Sequence, residues 1–199
     1  PGAKPQGCFL RVRLENVSLV IEDKEILSEI SVTIDLSKRT ALVGPTAAGK
    51  STLLALISGQ IFPTKGRIVL ETASGEYEIR EHTAYQLWRR QQVVVTQEAF
   101  IESTNIQRNV RLDQVHASAE SDHILLQSLY DAAMEQDIRS FRRGICEPLG
   151  ETGINLSGGQ KQRLNLARAF FSQRDFLLLD DPMSAVDEPV ADHIWQSLR

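Results

Sequence analysis

The 199 residues suffice for one compact domain with a sizeable core, and 42% hydrophobic with 24% charged residues is ordinary for a soluble globular chain. A formal net charge of −4 supplies no electrostatic pull toward nucleic acid or an anionic membrane surface. No apolar run approaches the ~20 residues that span a bilayer, no signal-peptide pattern opens the sequence, and Cys8 and Cys146 lack metal-ligand spacing and read as buried or free thiols of a reducing cytosol.

Residues 1–7 are rich in Pro and Gly and read as a flexible tail or linker. Leu10, Val12 and Leu14 alternate with Arg11 and Arg13 as a half-buried strand. A second short strand is expected at 17–21, turned by the polar residues 22–25, and a third where Ile30, Val32, Ile34 and Leu36 alternate with Ser31, Thr33 and Asp35. Thr40-Ala41-Leu42-Val43 reads as a short buried strand, and Leu53-Leu54-Ala55-Leu56-Ile57 as a helix that stops at Gly59. Phe62-Pro63 breaks the pattern. Strand character resumes at 67–70, turns at 72–75 and returns through Tyr77 and Ile79, so the first part is an antiparallel β layer around a strand–loop–helix. Val93-Val94-Val95 is a buried strand ending at Thr96-Gln97. Residues 105–141 are mostly helical, with Ile124, Leu125, Leu129, Ala132 and Ala133 at helical spacing. Residues 161–171 form a strong helix presenting Leu164, Ala167 and Phe171, Phe176-Leu177-Leu178-Leu179 a fully buried strand, and Val190, Ile194, Trp195 and Leu198 a last amphipathic helix.

Between the expected strand at 40–43 and the first helix lies Gly44-Pro45-Thr46-Ala47-Ala48-Gly49-Lys50-Ser51-Thr52, which fits G-x-x-x-x-G-K-[ST]. Glycines let such a loop curl so that successive backbone N–H groups point inward at phosphates. The following helix adds its unpaired N-terminal donors and the positive end of its dipole. Lys50 is then placed to reach the outer phosphates, and the Ser51 hydroxyl to join the shell of a magnesium ion. The apolar strand at 176–179 ends in Asp180, a carboxylate suited to hold that magnesium through water beside the phosphate loop.

Leu156-Ser157-Gly158-Gly159-Gln160 is a second anion-site pattern, with a serine and glycine donors at a helix N-terminus. With these motifs the chain resembles the nucleotide-binding domain of ABC transporters over residues 9–199. The resemblance implies the ABC ATPase fold: an α/β P-loop NTPase core with an antiparallel β subdomain and an inserted helical subdomain. Residues 1–8 then form the tail or linker, 9–96 and 166–199 the ATPase core with its β subdomain, and 97–165 the helical subdomain. The cofactors implied are ATP and Mg2+. Ser157, Gly158, Gly159 and Gln160 would complete an ATP site on a second nucleotide-binding domain, the two domains pairing head to tail. Gln97 matches the family's Q-loop glutamine, which touches the magnesium and relays nucleotide state to transmembrane domains on the same or a separate chain. Ser184-Ala185-Val186-Asp187 matches the D-loop. Residues 149–153 and 104–110 resemble exporter-specific segments, and 180–187 look most like the first nucleotide-binding domain of the multidrug-resistance-associated (ABCC) branch. Membership implies a domain at the cytoplasmic face of a membrane, powering export by ATP hydrolysis, with no nucleic acid as partner.

Three positions depart from the family pattern. Asp181 stands where a catalytic glutamate follows the Walker B aspartate, one methylene short in reach. Neither Val20 nor Ile21 is the aromatic that stacks on adenine, so Ile21 is left to pack against the base. Ala47 replaces a glycine and restricts how the loop curls. The family's switch histidine lies on a further strand. His193 comes too early for that role and reads as a surface or helix-packing residue, so the domain is expected to be C-terminally incomplete. Two further readings stay open: a soluble ABC ATPase of DNA repair or translation, disfavoured because no coiled-coil, zinc or tandem-domain insertion is visible, and an ATP-binding regulatory module without turnover.

Overall fold

The computed structural model describes residues 8–112 and 119–198, in two compact units that divide between residues 93 and 94. In the first unit, β1 (Phe9–Ile21) pairs antiparallel with β2 (Lys24–Asp35) through the two-residue turn Glu22-Asp23. Both turn residues have positive φ (48° and 62°), the hand that matches strand twist in tight hairpins. The phosphate-loop helix α1 (Lys50–Ile57) follows, then β3 (Lys65–Thr72), β4 (Gly75–Glu78) and α2 (His82–Gln91). The sheet order is β2-β1-β3-β4.

Strand alternation decides which face is buried. Val12 faces Leu70 and Leu14 faces Ile68 across the β1–β3 pair, all at most 1% exposed. The intervening residues carry charge, and Arg11–Glu71, Arg67–Glu15 and Arg13–Glu76 bridge the opposite face at 2.6–2.9 Å. The two strands expected at 10–14 and 17–21 are one, bent by a bulge at Asn16 (φ 48°). Ser31 closes that bulge: its Oγ accepts from the Asn16 N–H and its hydroxyl donates to Asn16 Oδ1, both at 3.0 Å.

Helix α2 is an element the sequence analysis passed over. It buries Ala84 and Trp88, a pair one helical turn apart. The Trp88 ring meets Phe9 edge-on at 5.6 Å, and its Nε1–H donates to the Ile57 carbonyl at 2.8 Å. Gln92 Nε2 donates to the Ser58 carbonyl at 2.7 Å. The carbonyl end of α1 is thereby tied down, which holds the phosphate-loop helix in place.

The strand expected at 40–43 does not form. Residues 39–45 carry no regular structure, and Val43 is 92% exposed. A strand needs a ladder partner, and residues 40–43 join neither of the two sheets of the described residues.

β5 (Gln92–Val95) leads into the second unit and pairs with β6 (Phe176–Leu179). β6 is half-buried along its whole length rather than fully buried, since the pair is only two strands wide. The helices are α3 (Ile106–Arg111), α4 (Ala119–Asp131), α5 (Glu135–Ser140), α6 (Gly158–Phe171) and α7 (Glu188–Ser197). α6 is the hub: α3 and α4 pack on it, burying Leu125, Leu129, Ile106, Val110, Leu164 and Phe171. His193 on α7 meets Tyr130 of α4, ring to ring at 4.9 Å and Nε2 to carbonyl at 2.8 Å, so it packs helices together.

Gly66 tests the bulge. It has φ 75°, and a Cβ there would lie 2.3 Å from the Asn16 carbonyl oxygen. Gly66→Ala should destabilise the protein by roughly 2 kcal/mol or more, read as a lower urea midpoint at unchanged slope.

Candidate functional site

Two residues of the phosphate loop, Ala47 and Gly49, hold left-handed backbone. Gly49 is the N-cap of α1 with φ 86°, and a Cβ there would stand 2.8 Å from Leu27 Cδ2. The N-cap makes no side-chain hydrogen bond and no acidic residue occupies the first turn, so the positive end of the dipole meets no carboxylate of its own helix. Lys50 Nζ folds back to donate to the carbonyls of Gly44 (2.9 Å) and Pro45 (2.7 Å), and Ala48 N–H closes a turn to Pro45 O at 3.3 Å. Ala47 has φ 63°, so the alanine in the glycine position holds the left-handed backbone a glycine adopts freely, at a cost of about 1–2 kcal/mol. Gly44, Pro45 and Thr46 are exposed, as is Ser51 at the head of the helix.

Beside the loop lies a depression of about 210 Å³ lined by Ile26, Ala47, Gly49, Lys50, Ser51 and Thr52. Ile21 is not part of this lining: it ends β1, 49% exposed at the hairpin. Ile26, which the sequence analysis missed, supplies the apolar wall. Its signal is faint, because an isoleucine on an amphipathic strand looks like any core residue.

In the second unit, Asp180 N–H donates to the Val95 carbonyl at 2.9 Å, so the carboxyl ends of β5 and β6 lie side by side. That brings Gln97, exposed two residues beyond Val95, and half-buried Asp180 to the same strand ends. Asp181 follows with φ 47°, exposed, in a region where aspartate is several-fold more frequent than most residues.

Ser157 caps α6 in a reciprocal box: its Oγ accepts from Gln160 N–H at 3.2 Å, while Gln160 Oε1 accepts from Ser157 N–H at 2.8 Å. With Oγ used as acceptor, the Ser157 hydroxyl proton remains a donor. Gln160 Nε2 donates to Asp137 Oδ1 at 2.9 Å, and Arg163 pairs with Asp137 Oδ2 at 2.7 Å, the two charged side chains 13% and 17% exposed. Farther along α6, Arg168 donates to the carbonyls of Asn109 (2.8 Å) and Phe100 (2.9 Å), and burial pushes its guanidinium below its ordinary value. Asn109, fully buried, stitches residues 102–105 by accepting from Glu102 N–H and donating to the carbonyls of Glu102 and Asn105. The two segments with exporter resemblance meet here, as Leu149 N–H donates to Thr104 O at 2.6 Å.

The ABC transporter family model matches residues 27–184. Among similar proteins is the multidrug resistance-like ATP-binding protein MdlA of Buchnera aphidicola, 33% identical over 96% of this chain and 32% of that protein. The putative multidrug export ATP-binding/permease protein YgaD of Bacillus subtilis is 34% identical over 94% of this chain and 31% of its own length. ABC transporter C family member 12 of Dictyostelium discoideum is 33% identical over 96% of this chain and 13% of its own. A solved bacterial Atm1-family ABC exporter with ATP bound superimposes with a TM-score of 0.85 at 29% identity, over 98% of this chain and 33% of that one. The chain therefore belongs to the ABC transporter family, as an ATP-binding domain with the ABC ATPase fold. It spans about a third or less of the length of these relatives.

Asp137→Ala should cost about 2–3 kcal/mol, because it leaves the Arg163 cation nearly buried without its carboxylate. Asp137→Ala combined with Arg163→Met should recover most of that loss in chemical denaturation.

Proposed function

We propose that this domain binds Mg-ATP and, paired head to tail with a second nucleotide-binding domain, powers export through transmembrane domains at the cytoplasmic face of a membrane. The observation that carries the reading is the uncapped start of α1 behind left-handed Gly49, with Lys50 held inside the loop by two carbonyls. Phosphate oxygens exchange for those carbonyls, so Lys50 and the amides of residues 44–52 take the triphosphate, while Ile26 gives the base an apolar neighbour in place of a stacked aromatic. Ser51, Gln97 and Asp180 each carry an oxygen donor of the kind magnesium accepts, and that ion would supply charge neutralisation at the phosphates when bound. Among the described residues no helix is long and apolar enough to cross a membrane. The multidrug names of relatives and the joined segments at 104 and 149 support an exporter partner. Similarity to a C family member accords with the ABCC branch, although MdlA is equally similar.

In this reading Ser157, Gly158, Gly159 and Gln160 serve the partner's ATP, whereas Asp181 orients water at this domain's own. Asp181 is one methylene short, and a misplacement of about 1 Å costs ~100-fold in rate, so the domain's own site turns over slowly. The alternative of an ATP-binding module without turnover rests on the same residue.

Lys50→Ala should weaken ATP binding by about 10- to 100-fold in calorimetry, the worth of a charge-assisted contact. Unchanged affinity would remove this loop from the site. In the full-length protein Asp181→Glu should raise ATPase turnover, and Ser157→Arg should lower it by roughly 100-fold through the partner site. Phosphate release assays check both; an unaltered rate in Ser157→Arg contradicts the shared site.

A further inference from the structure

Gln162 is a nearly buried polar side chain, 9% exposed in the second turn of α6, that none of the roles above uses. Its Oε1 accepts from the Ala185 N–H at 3.0 Å, and its Nε2 donates to Ser184 Oγ at 2.7 Å. The backbone N–H can only donate, which sets the orientation of the amide. One turn earlier, Gly159 lies directly under the same segment: a Cβ there would stand 2.5 Å from the Ala185 carbonyl oxygen. The backbone at 184–185 thus rests on the first turn of α6 through a glycine and is bonded to the second turn through a glutamine.

That segment is not an independent loop. Ser184 N–H reaches back to Asp181 O at 3.4 Å, and Val186 N–H to Met183 O at 3.2 Å, so residues 181–186 are consecutive turns. Pinning 184–185 therefore pins the turn that begins at Asp181. Ser157 caps the start of the same helix, directly before these two turns.

We propose that Gln162 is a positioning residue that clamps the 181–187 segment to the signature helix and so holds Asp181 and Ser157 of one chain in fixed register. The proposal rests on the head-to-tail reading for its consequence: Ser157 serves the partner's nucleotide and Asp181 the domain's own, so the clamp is a direct mechanical link between two composite sites. A glutamine suits the task because it offers one donor and one acceptor. Glutamate preserves both contacts, since the Ser184 hydroxyl can donate to it, whereas leucine fills the space and makes neither.

The experiment compares Gln162→Leu and Gln162→Glu in the full-length protein by two measurements. Hydrogen exchange over residues 183–187 should accelerate about tenfold in Gln162→Leu, while amides within α6 keep their protection. Steady-state ATP hydrolysis should show kcat lowered about tenfold with KM for ATP unchanged, because positioning rather than nucleotide binding is lost. Gln162→Glu should restore both to within about twofold. Unchanged exchange in Gln162→Leu overturns the clamp, whatever the enzyme does. Faster exchange with unchanged kcat overturns the link between sites. A parent protein that neither dimerises with ATP nor hydrolyses it overturns the head-to-tail reading instead, and the exchange result still decides the clamp. If Gln162→Leu does not fold, Ser184→Ala removes the Nε2 contact alone, and the same outcomes are read at smaller amplitude.

Discussion

A helix start leaves backbone N–H groups without partners, and this constraint organises the two helix starts that carry the proposed nucleotide contacts. The two starts meet it in opposite ways. At α1 the cap is a glycine in the left-handed region, which has no side chain to offer the start of the helix. At α6 the donors are partly closed, with Ser157 and Gln160 occupying each other's backbone amides. The first arrangement suits a site that envelops its own triphosphate. Under the proposed function, the second suits a preformed surface whose hydroxyl proton and glycine amides face a phosphate held by the partner.

The second arrangement is costly to keep in register, and α6 is anchored at three levels. Asp137 receives Gln160 and Arg163 near the start, Gln162 holds residues 184–185, and Arg168 takes the carbonyls of Phe100 and Asn109 near the end. Arg168 is charged and largely withdrawn from water, so its donors need carbonyl partners, and loop backbone supplies them. The loop following Gln97 is therefore positioned by the same helix that presents Ser157. A displacement at either place has a short path to the other through one rigid element.

The departures at positions 47 and 181 share a physical feature. Ala47 and Asp181 both hold positive φ, at 63° and 47°. For Ala47 this is strain in a loop that tolerates it because the curl is needed for donor geometry. For Asp181 the left-handed region is one that aspartate visits more often than most residues. The loss of reach at that carboxylate thus comes with a local conformation that aspartate accommodates.

Contiguous motifs were legible in the sequence because phosphate recognition uses successive backbone amides, which demand particular residue types at adjacent positions. The loop at 44–52, the helix it opens and the capped serine at 157 stand where that pattern puts them, and Asp180 was legible from the apolar run of β6 that it follows. So were the antiparallel hairpins, whose alternation is local. Contacts between residues far apart in the chain were not legible. Trp88 reaches a carbonyl 31 positions away, Gln162 a hydroxyl 22 away and Arg168 a carbonyl 68 away. Nothing in the residues near any of them specifies the partner. Thr40-Ala41-Leu42-Val43 shows the converse: its apolar pattern is strand-like, but a strand exists only where a neighbour completes the ladder. The chemistry was written in the order of residues, while the register between its parts was decided by which buried donors and acceptors the folded chain could bring within 3 Å.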